Sequence, residues 1–340
     1  MSALTNTSVD PKGAFQRNKA KHGNLIAKGG QYPPEAGRYH LHIALACPWA
    51  DGVLAMLYLK GLDHVISHSI VHPTWGKTKP DDDEDTHYGW MYKKPGDDPL
   101  PNPLGHGSNE CDDALIPDTF TNAKSVREVY NQCGDHSGPF STPLLYDKET
   151  KSIVCNESML ILRMLNDKFN EYAKHPEIDL YPSELDEELQ NLNETLVYPK
   201  INNGVYRCGF ARSQEAYAQA VTELSEALEI LEDRLSKQRY LGSSTKLTWL
   251  DLRLFMTLVR FDPVYVTYFK TNKKRLVDYP NLLGFTRDVY SNENIKRVIN
   301  FKHIKTHYFT SHPVFNTYGI IPAYDGPDLE LQSGREQMGH

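Results

Sequence analysis

Tyr39-His-Leu-His-Ile-Ala-Leu-Ala-Cys-Pro-Trp-Ala50, continued by Asp51-Gly-Val-Leu-Ala-Met-Leu-Tyr-Leu-Lys60, decides the reading of this chain. Tyr39 to Leu45 alternates as a strand does, and Pro48 to Lys60 reads as an apolar helix stopped by Gly61. Cys47 falls at the cap of that helix and Pro48 at its first position, where a missing amide hydrogen costs nothing. A thiol so placed faces free amides and the positive end of the helix dipole. Such a thiol is expected to ionise between about 3.5 and 7.5 instead of at about 8.5, making Cys47 a nucleophile at neutral pH. Ala50 occupies the place where a redox dithiol motif would carry its second cysteine, so a mixed disulfide on Cys47 needs an outside thiol to resolve it. The alternative is a buried structural cysteine, the commoner fate of a free Cys in an apolar segment.

Working outward, Val65 to Val71 supplies a second strand. His72 to about Lys124, rich in Pro, Gly and Asp and carrying the acidic run Asp81 to Asp85, reads as a long insertion. Leu144 to Tyr146 and Ser152 to Cys155 flank the polar turn Asp147 to Lys151 as a hairpin, and a helix follows from Glu157 to about Phe169 with Asn156 placed to cap it. Ser141-Thr142-Pro143 precedes the hairpin, where thioredoxin-like proteins carry a cis-proline opposite the active cysteine. Cis bonds make up only about 5–6% of X–Pro peptides, so position in the element order carries that reading, not the dipeptide. At the mouth of the next helix, Asn156-Glu157-Ser158 suits a ligand bearing both a carboxylate and an ammonium, with the amide dipoles taking the first and Glu157 the second. The γ-glutamyl end of glutathione is such a ligand; ordinary capping is the alternative.

The second half turns helical, with candidates at Ser183 to Leu196, Ser213 to Leu235, Thr248 to Phe261 and Asn281 to Ser291. Val221, Leu224, Leu228, Leu231 and Leu235 recur at spacings of three and four and mark one buried face. Thr248-Trp-Leu-Asp251 has the form of a capping box with Asp in place of Glu. The stretch from Asp328 reads as a disordered polar tail.

At 340 residues the chain suggests two domains, and its net charge of −7 provides no positive field for nucleic acid or anionic lipid. Apolar runs such as Val53 to Leu59 fall far short of the roughly 18 residues of a membrane span. Met1 to Asp10 contains no signal-peptide core; Lys12, Arg17, Lys19 and Lys21 leave organelle import open. Five irregularly spaced cysteines fit a reducing compartment, and the expectation is a cytoplasmic protein. His64 with His68, and His303 with His307, lack supporting ligands, and the acidic run lacks calcium-loop spacing, so no metal is expected.

At this point the chain resembles the glutathionyl-hydroquinone reductases, or Xi-class glutathione transferases, relatives of the omega class. The resemblance runs from about Arg38 to Pro327. It rests on Leu45-Ala-Cys-Pro-Trp-Ala50, Gly89-Trp90, Ile153-Val-Cys-Asn-Glu-Ser158, Asn202-Asn-Gly-Val-Tyr206, Arg260-Phe-Asp-Pro-Val-Tyr265, Asp278-Tyr-Pro-Asn281 and His307-Tyr308.

The resemblance implies an α/β plus all-α architecture, a thioredoxin-like N-terminal domain followed by a helical C-terminal domain. The implied partition is an arm over 1–37, a glutathione-binding domain over 38–175 with its insertion at 72–124, helices over 183–305 and a tail over 306–340. It further implies that Cys47 is the nucleophile, that Trp90, Thr142, Pro143, Glu157 and Ser158 bind glutathione, and that Tyr206, Tyr265 and Tyr308 line a hydroquinone pocket. Tyr308 or Tyr265 would then give the proton, with glutathione as co-substrate and a homodimer as the assembly.

The implied reaction removes glutathione from a glutathionyl-hydroquinone through a mixed disulfide on Cys47. An omega-like thiol transferase or dehydroascorbate reductase would use the same cysteine, and a non-catalytic carrier of aromatic compounds would use the same pocket. The chain departs from the family pattern in two places. Near the proline, Pro139 stands where a basic residue is common and Thr142 where valine is; after the motif, Asp51-Gly52 stands where an arginine is usual.

Overall fold

The computed structural model of the protein describes residues 8–339. It divides into two compact units, one built from Asn18–Ile178 with Val298–Ile321 and the other from Asp179–Arg297 with the arm up to Arg17 and the chain from Pro322.

The first unit holds a four-stranded sheet. β1 (Tyr39–Ile43) runs into α1 (Pro48–Leu59), which returns to β2 (Ser67–Ile70) in parallel with β1, pairing His40 with Ser67 and His42 with Ser69. After the insertion and α2 (Val126–Gln132), β3 (Leu144–Asp147) and β4 (Ser152–Cys155) form the hairpin, and α3 (Ser158–Asp167) follows. The strand order is β4-β3-β1-β2, with β3 antiparallel to β1. This β-α-β then β-β-α order is the thioredoxin-like arrangement, and α1 packs beside α3. Gly61 ends α1 at a φ of +62°, a conformation that costs a residue with a Cβ.

The alternation read along β1 has the right period, yet all five of its residues are buried. One face is ordinary core, where Tyr39 meets Phe169 edge-on. On the other, His40 and His42 lie under Phe120 and Tyr92, because the insertion folds over that side of the sheet. The insertion is therefore structured, held by ladders at Gly76–Lys77 with Tyr88–Gly89 and at Leu100–Pro101 with Ser108–Asn109. Its acidic run divides: Asp81, Asp82, Asp83 and Glu84 stay exposed, whereas Asp85 is bound by Arg127 at 2.7 Å.

The arm that read as polar also takes part. Asn24 donates to the Val154 carbonyl and Asn156 to that of His22, which extends the hairpin edge by one more chain. A helix the periodicity did not single out, Phe301–Thr310, belongs to this unit; its His303 meets Asp112 at 2.9 Å and its His307 ring nitrogen meets the Pro73 carbonyl at 3.0 Å.

In the second unit α4 (Asp186–Leu192) continues into a wide π-helical turn over Asn193–Asn202 that accommodates Pro199, whose missing N–H prevents a regular ladder. α5 (Gly204–Gly209), α6 (Gln214–Leu235), α7 (Trp249–Leu258) and α8 (Pro280–Tyr290) complete the bundle. Ser213 caps α6, and the predicted leucine face is its buried face. At the head of α7 the Thr248 amide and the Leu241 amide donate to the Asp251 carboxylate at 2.8 and 2.7 Å, while burial pushes that carboxyl up to about 6. The end of the chain corrects the expectation of disorder. Leu329 and Arg335 are buried, and the Arg335 guanidinium donates to the carbonyls of Leu235, Gln238 and Arg239. The last carbonyl of α6 and two in the loop after it need a donor, and a polar tail can supply one.

Candidate active site

The turn from β1 into α1 places Cys47. Its amide donates to Ala44 O at 2.9 Å, closing a tight turn, and its own carbonyl accepts from the Ala50 and Asp51 amides. The residue has extended backbone (φ −88°, ψ 115°) as N-cap of α1, with Pro48 at the first position. The thiol thus sits at the positive end of a helix of 12 residues, half-buried.

All five cysteines are free among the described residues, and burial disfavours the thiolate at the four other than Cys47. Burial pushes Cys155 and Cys208 up to about 12 and raises Cys111 and Cys133. Thiolate is the nucleophilic form of cysteine, and burial works against it at these four.

Opposite it lies the Thr142–Pro143 peptide, which is cis, with the Thr142 carbonyl 3.5 Å from Cys47 Sγ. This segment is fastened from behind. The Tyr130 hydroxyl donates to the Ser141 carbonyl at 3.0 Å and accepts from Asn156 Nδ2 at 3.0 Å; Asn156 Oδ1 in turn accepts the His22 amide at 3.1 Å. Asn156 therefore does not cap α3 as its sequence position suggested. Glu157 is the cap, its Oε1 accepting the Met159 amide at 2.9 Å, and the helix starts one residue later at Ser158. The side chain that reaches the arm cannot also turn back to its own helix.

Cys47 packs against the cluster that includes Ala44, Ala46, Trp90 and Tyr130, with Trp75 at its edge. Trp90 is buried, with the His307 ring 4.4 Å away at a 31° tilt and the Trp75 ring edge-on at 5.7 Å. Tyr308 lies beside His307 at 5.3 Å. Thus Cys47, Trp90, Thr142, Pro143, Glu157, Ser158 and Tyr308 all belong to the first unit. Tyr206 and Tyr265 belong to the second, with ring centroids 6.1 Å apart, and Tyr265 is stacked on Phe269 at 5.4 Å. The Arg17 guanidinium lies 4.6 Å over the Tyr206 ring.

Trp75 and Tyr130 were not singled out from the sequence; they come from the insertion and from α2, where nothing local marks them. Pro139 is exposed and carries no charge, and Asp51 is fully buried in the first turn of α1.

Comparison with known proteins bears on this geometry. The profile described as "Glutathione S-transferase, N-terminal domain" matches residues 46–168, and "Glutathione S-transferase, C-terminal domain" matches 214–288. Glutathionyl-hydroquinone reductase YqjG of Escherichia coli is 40% identical over 95% of this chain and 93% of its own. The crystal structure of glutathione-S-transferase Xi from Phanerochaete chrysosporium superposes with a TM-score of 0.81 at 41% identity, covering 94% of this chain and 99% of that one. The glutathione-bound structure of E. coli YqjG gives 0.80 at 40% identity, covering 93% and 96%.

Proposed function

Because the chain belongs to the Xi-class glutathione transferases, the family of the glutathionyl-hydroquinone reductases, we propose that it removes glutathione from glutathionyl-hydroquinones with Cys47 as nucleophile. The observation that carries the reading is the half-buried Cys47 thiol at the head of α1, 3.5 Å from the Thr142 carbonyl. The Cys47 thiolate attacks the glutathione sulfur. The bond between that sulfur and the ring carbon breaks, its electron pair stays on the ring, and a proton completes the free hydroquinone. Cys47 is left as a mixed disulfide with glutathione. A second glutathione thiolate attacks the glutathione sulfur of that disulfide, releasing oxidised glutathione and restoring the Cys47 thiolate.

Glutathione lies along the Thr142–Pro143 segment with its γ-glutamyl end at Glu157 and Ser158. Glu157 caps its helix through one oxygen, which leaves the other for an ammonium. Trp90 packs against the tripeptide. Tyr206, Tyr265 and Tyr308 hold the ring, and the hydroxyl of Tyr308 or Tyr265 supplies the proton. The protein acts as a homodimer in the cytoplasm; among the described residues no helix is long and apolar enough to cross a membrane.

Turnover of glutathionyl-menadione measured beside turnover of a small glutathione mixed disulfide tests the assignment. Faster turnover of the quinol adduct, lost in Cys47→Ser and reduced in Tyr308→Phe or Tyr265→Phe, is expected. Preference for the mixed disulfide would make it an omega-like thiol transferase, and aromatic binding without any turnover would make it a carrier.

A further inference from the structure

We propose that His40, His42 and Asp118 form a site for one divalent transition-metal ion, with Zn2+ as the best-matched occupant, and that the ion ties the insertion to the sheet. The sequence offered no metal reading because the two histidines are spaced for a strand and their third partner lies far along the chain. Two residues apart on β1, they project from the same face. Their rings are 4.7 Å apart, both are buried, and a nitrogen of each lies within 4.8 Å of the other and of an Asp118 carboxylate oxygen. Ligands on a tetrahedral zinc stand about 3.4 Å apart, so separations of up to 4.8 Å have to close on binding.

The contacts around the rings leave one nitrogen of each without a partner. His40 Nδ1 meets Ser67 Oγ at 2.8 Å, and Ser67 Oγ lies 3.5 Å from the Tyr39 carbonyl. His42 Nδ1 has the Tyr92 hydroxyl at 2.6 Å and Ser69 Oγ at 3.1 Å. Each ring is thus held at Nδ1 by an oxygen, the arrangement found behind ligating histidines, and Nε2 of both is buried with no hydrogen-bond partner. Asp118 is fixed in turn by the Phe120 and Thr121 amides and by the Thr121 hydroxyl. The Lys148 ammonium donates to Ser67 Oγ at 3.4 Å. Two buried imidazole nitrogens without a partner beside a carboxylate make a donor set of the type that zinc takes.

The test uses full-length Cys47→Ser protein, stripped by chelator, titrated with Zn2+ by calorimetry and with Co2+ by absorption. One equivalent is expected, with cobalt ligand-field bands and no thiolate charge-transfer band. Ser67→Ala should weaken binding about tenfold. His42→Gln and the near-isosteric Asp118→Asn should each remove the ligand-field bands and the rise in unfolding temperature that Zn2+ produces; if His42→Gln fails to fold, Asp118→Asn decides. No binding to the folded parent would mean that the cluster holds water alone and would overturn the proposal. So would a thiolate band, or a full equivalent retained by Asp118→Asn.

Discussion

Asn156→Ala removes the side chain that fastens the Thr142 segment to the arm. Asn156 is 7% exposed and makes two bonds at about 3 Å, to the His22 amide and the Tyr130 hydroxyl, plus a longer one of 3.5 Å to Ser141 Oγ. Its loss leaves the His22 amide without its acceptor, at about 1–2 kcal/mol, and the Tyr130 hydroxyl without one donor, at about 1 kcal/mol. Together with the small cavity the expected loss is about 2–4 kcal/mol, read from urea unfolding followed at the first unit. Ser141 keeps its bond from Tyr130, so the segment loosens without detaching. The affinity for glutathione should therefore fall about tenfold, through KM more than kcat, because the chemistry at Cys47 is untouched. Asn156→Asp is the control: it keeps the acceptor for His22 and loses the donor to Tyr130, and should fall between. A loss under about 1 kcal/mol with an unchanged KM would refute the idea that this residue holds the loop.

Asp147 is buried and grips Arg38 through both oxygens at 2.9 and 2.7 Å. Burial works to raise its pKa, but the Arg38 guanidinium, the Thr150 hydroxyl and the Glu149 amide outweigh it, and the net shift is downward. Its contribution to stability is therefore complete above the unfolded value of about 3.9 and is lost as pH falls below that. Asp147→Ala should cost about 3–5 kcal/mol at pH 7 and flatten the acid limb of a stability–pH profile. Trp90→Ala empties a site between Trp75 and His307 and should cost about 3–5 kcal/mol by thermal unfolding, together with weaker glutathione binding by calorimetry. Asp51→Asn takes a carboxylate out of the first turn of α1, so the Cys47 thiol should titrate lower by about one unit, monitored by thiolate absorbance.

What was legible in the sequence was what short-range chemistry writes. The step from β1 through Cys47-Pro48 into α1 is specified by a cap, a proline and a run of apolar residues within twenty positions. The same holds for the hairpin before α3 and for the leucine face of α6. Structure built by distant partners was not legible. Asn156 looked like a cap because its position allowed one, yet its side chain is taken by His22 and Tyr130, which are far away in the chain. The polar tail looked disordered because nothing local orders it, and Arg335 is buried by carbonyls at the end of α6. Phe301–Thr310 escaped notice because its buried face is made of His303, Lys305, Thr306 and His307 as much as of Ile304 and Tyr308, so no apolar stripe marks it. Nothing local in the strand marks His40 and His42 as buried; the insertion covers them through Phe120 and Tyr92.

The most direct measurement is the intact mass of the protein after a glutathionyl-hydroquinone is added with no free glutathione present. The account predicts a gain of one glutathione on Cys47, release of the free hydroquinone in equal amount, and loss of both signals in Cys47→Ser. Hydroquinone released with no mass gain, or a gain that persists in Cys47→Ser, would contradict it.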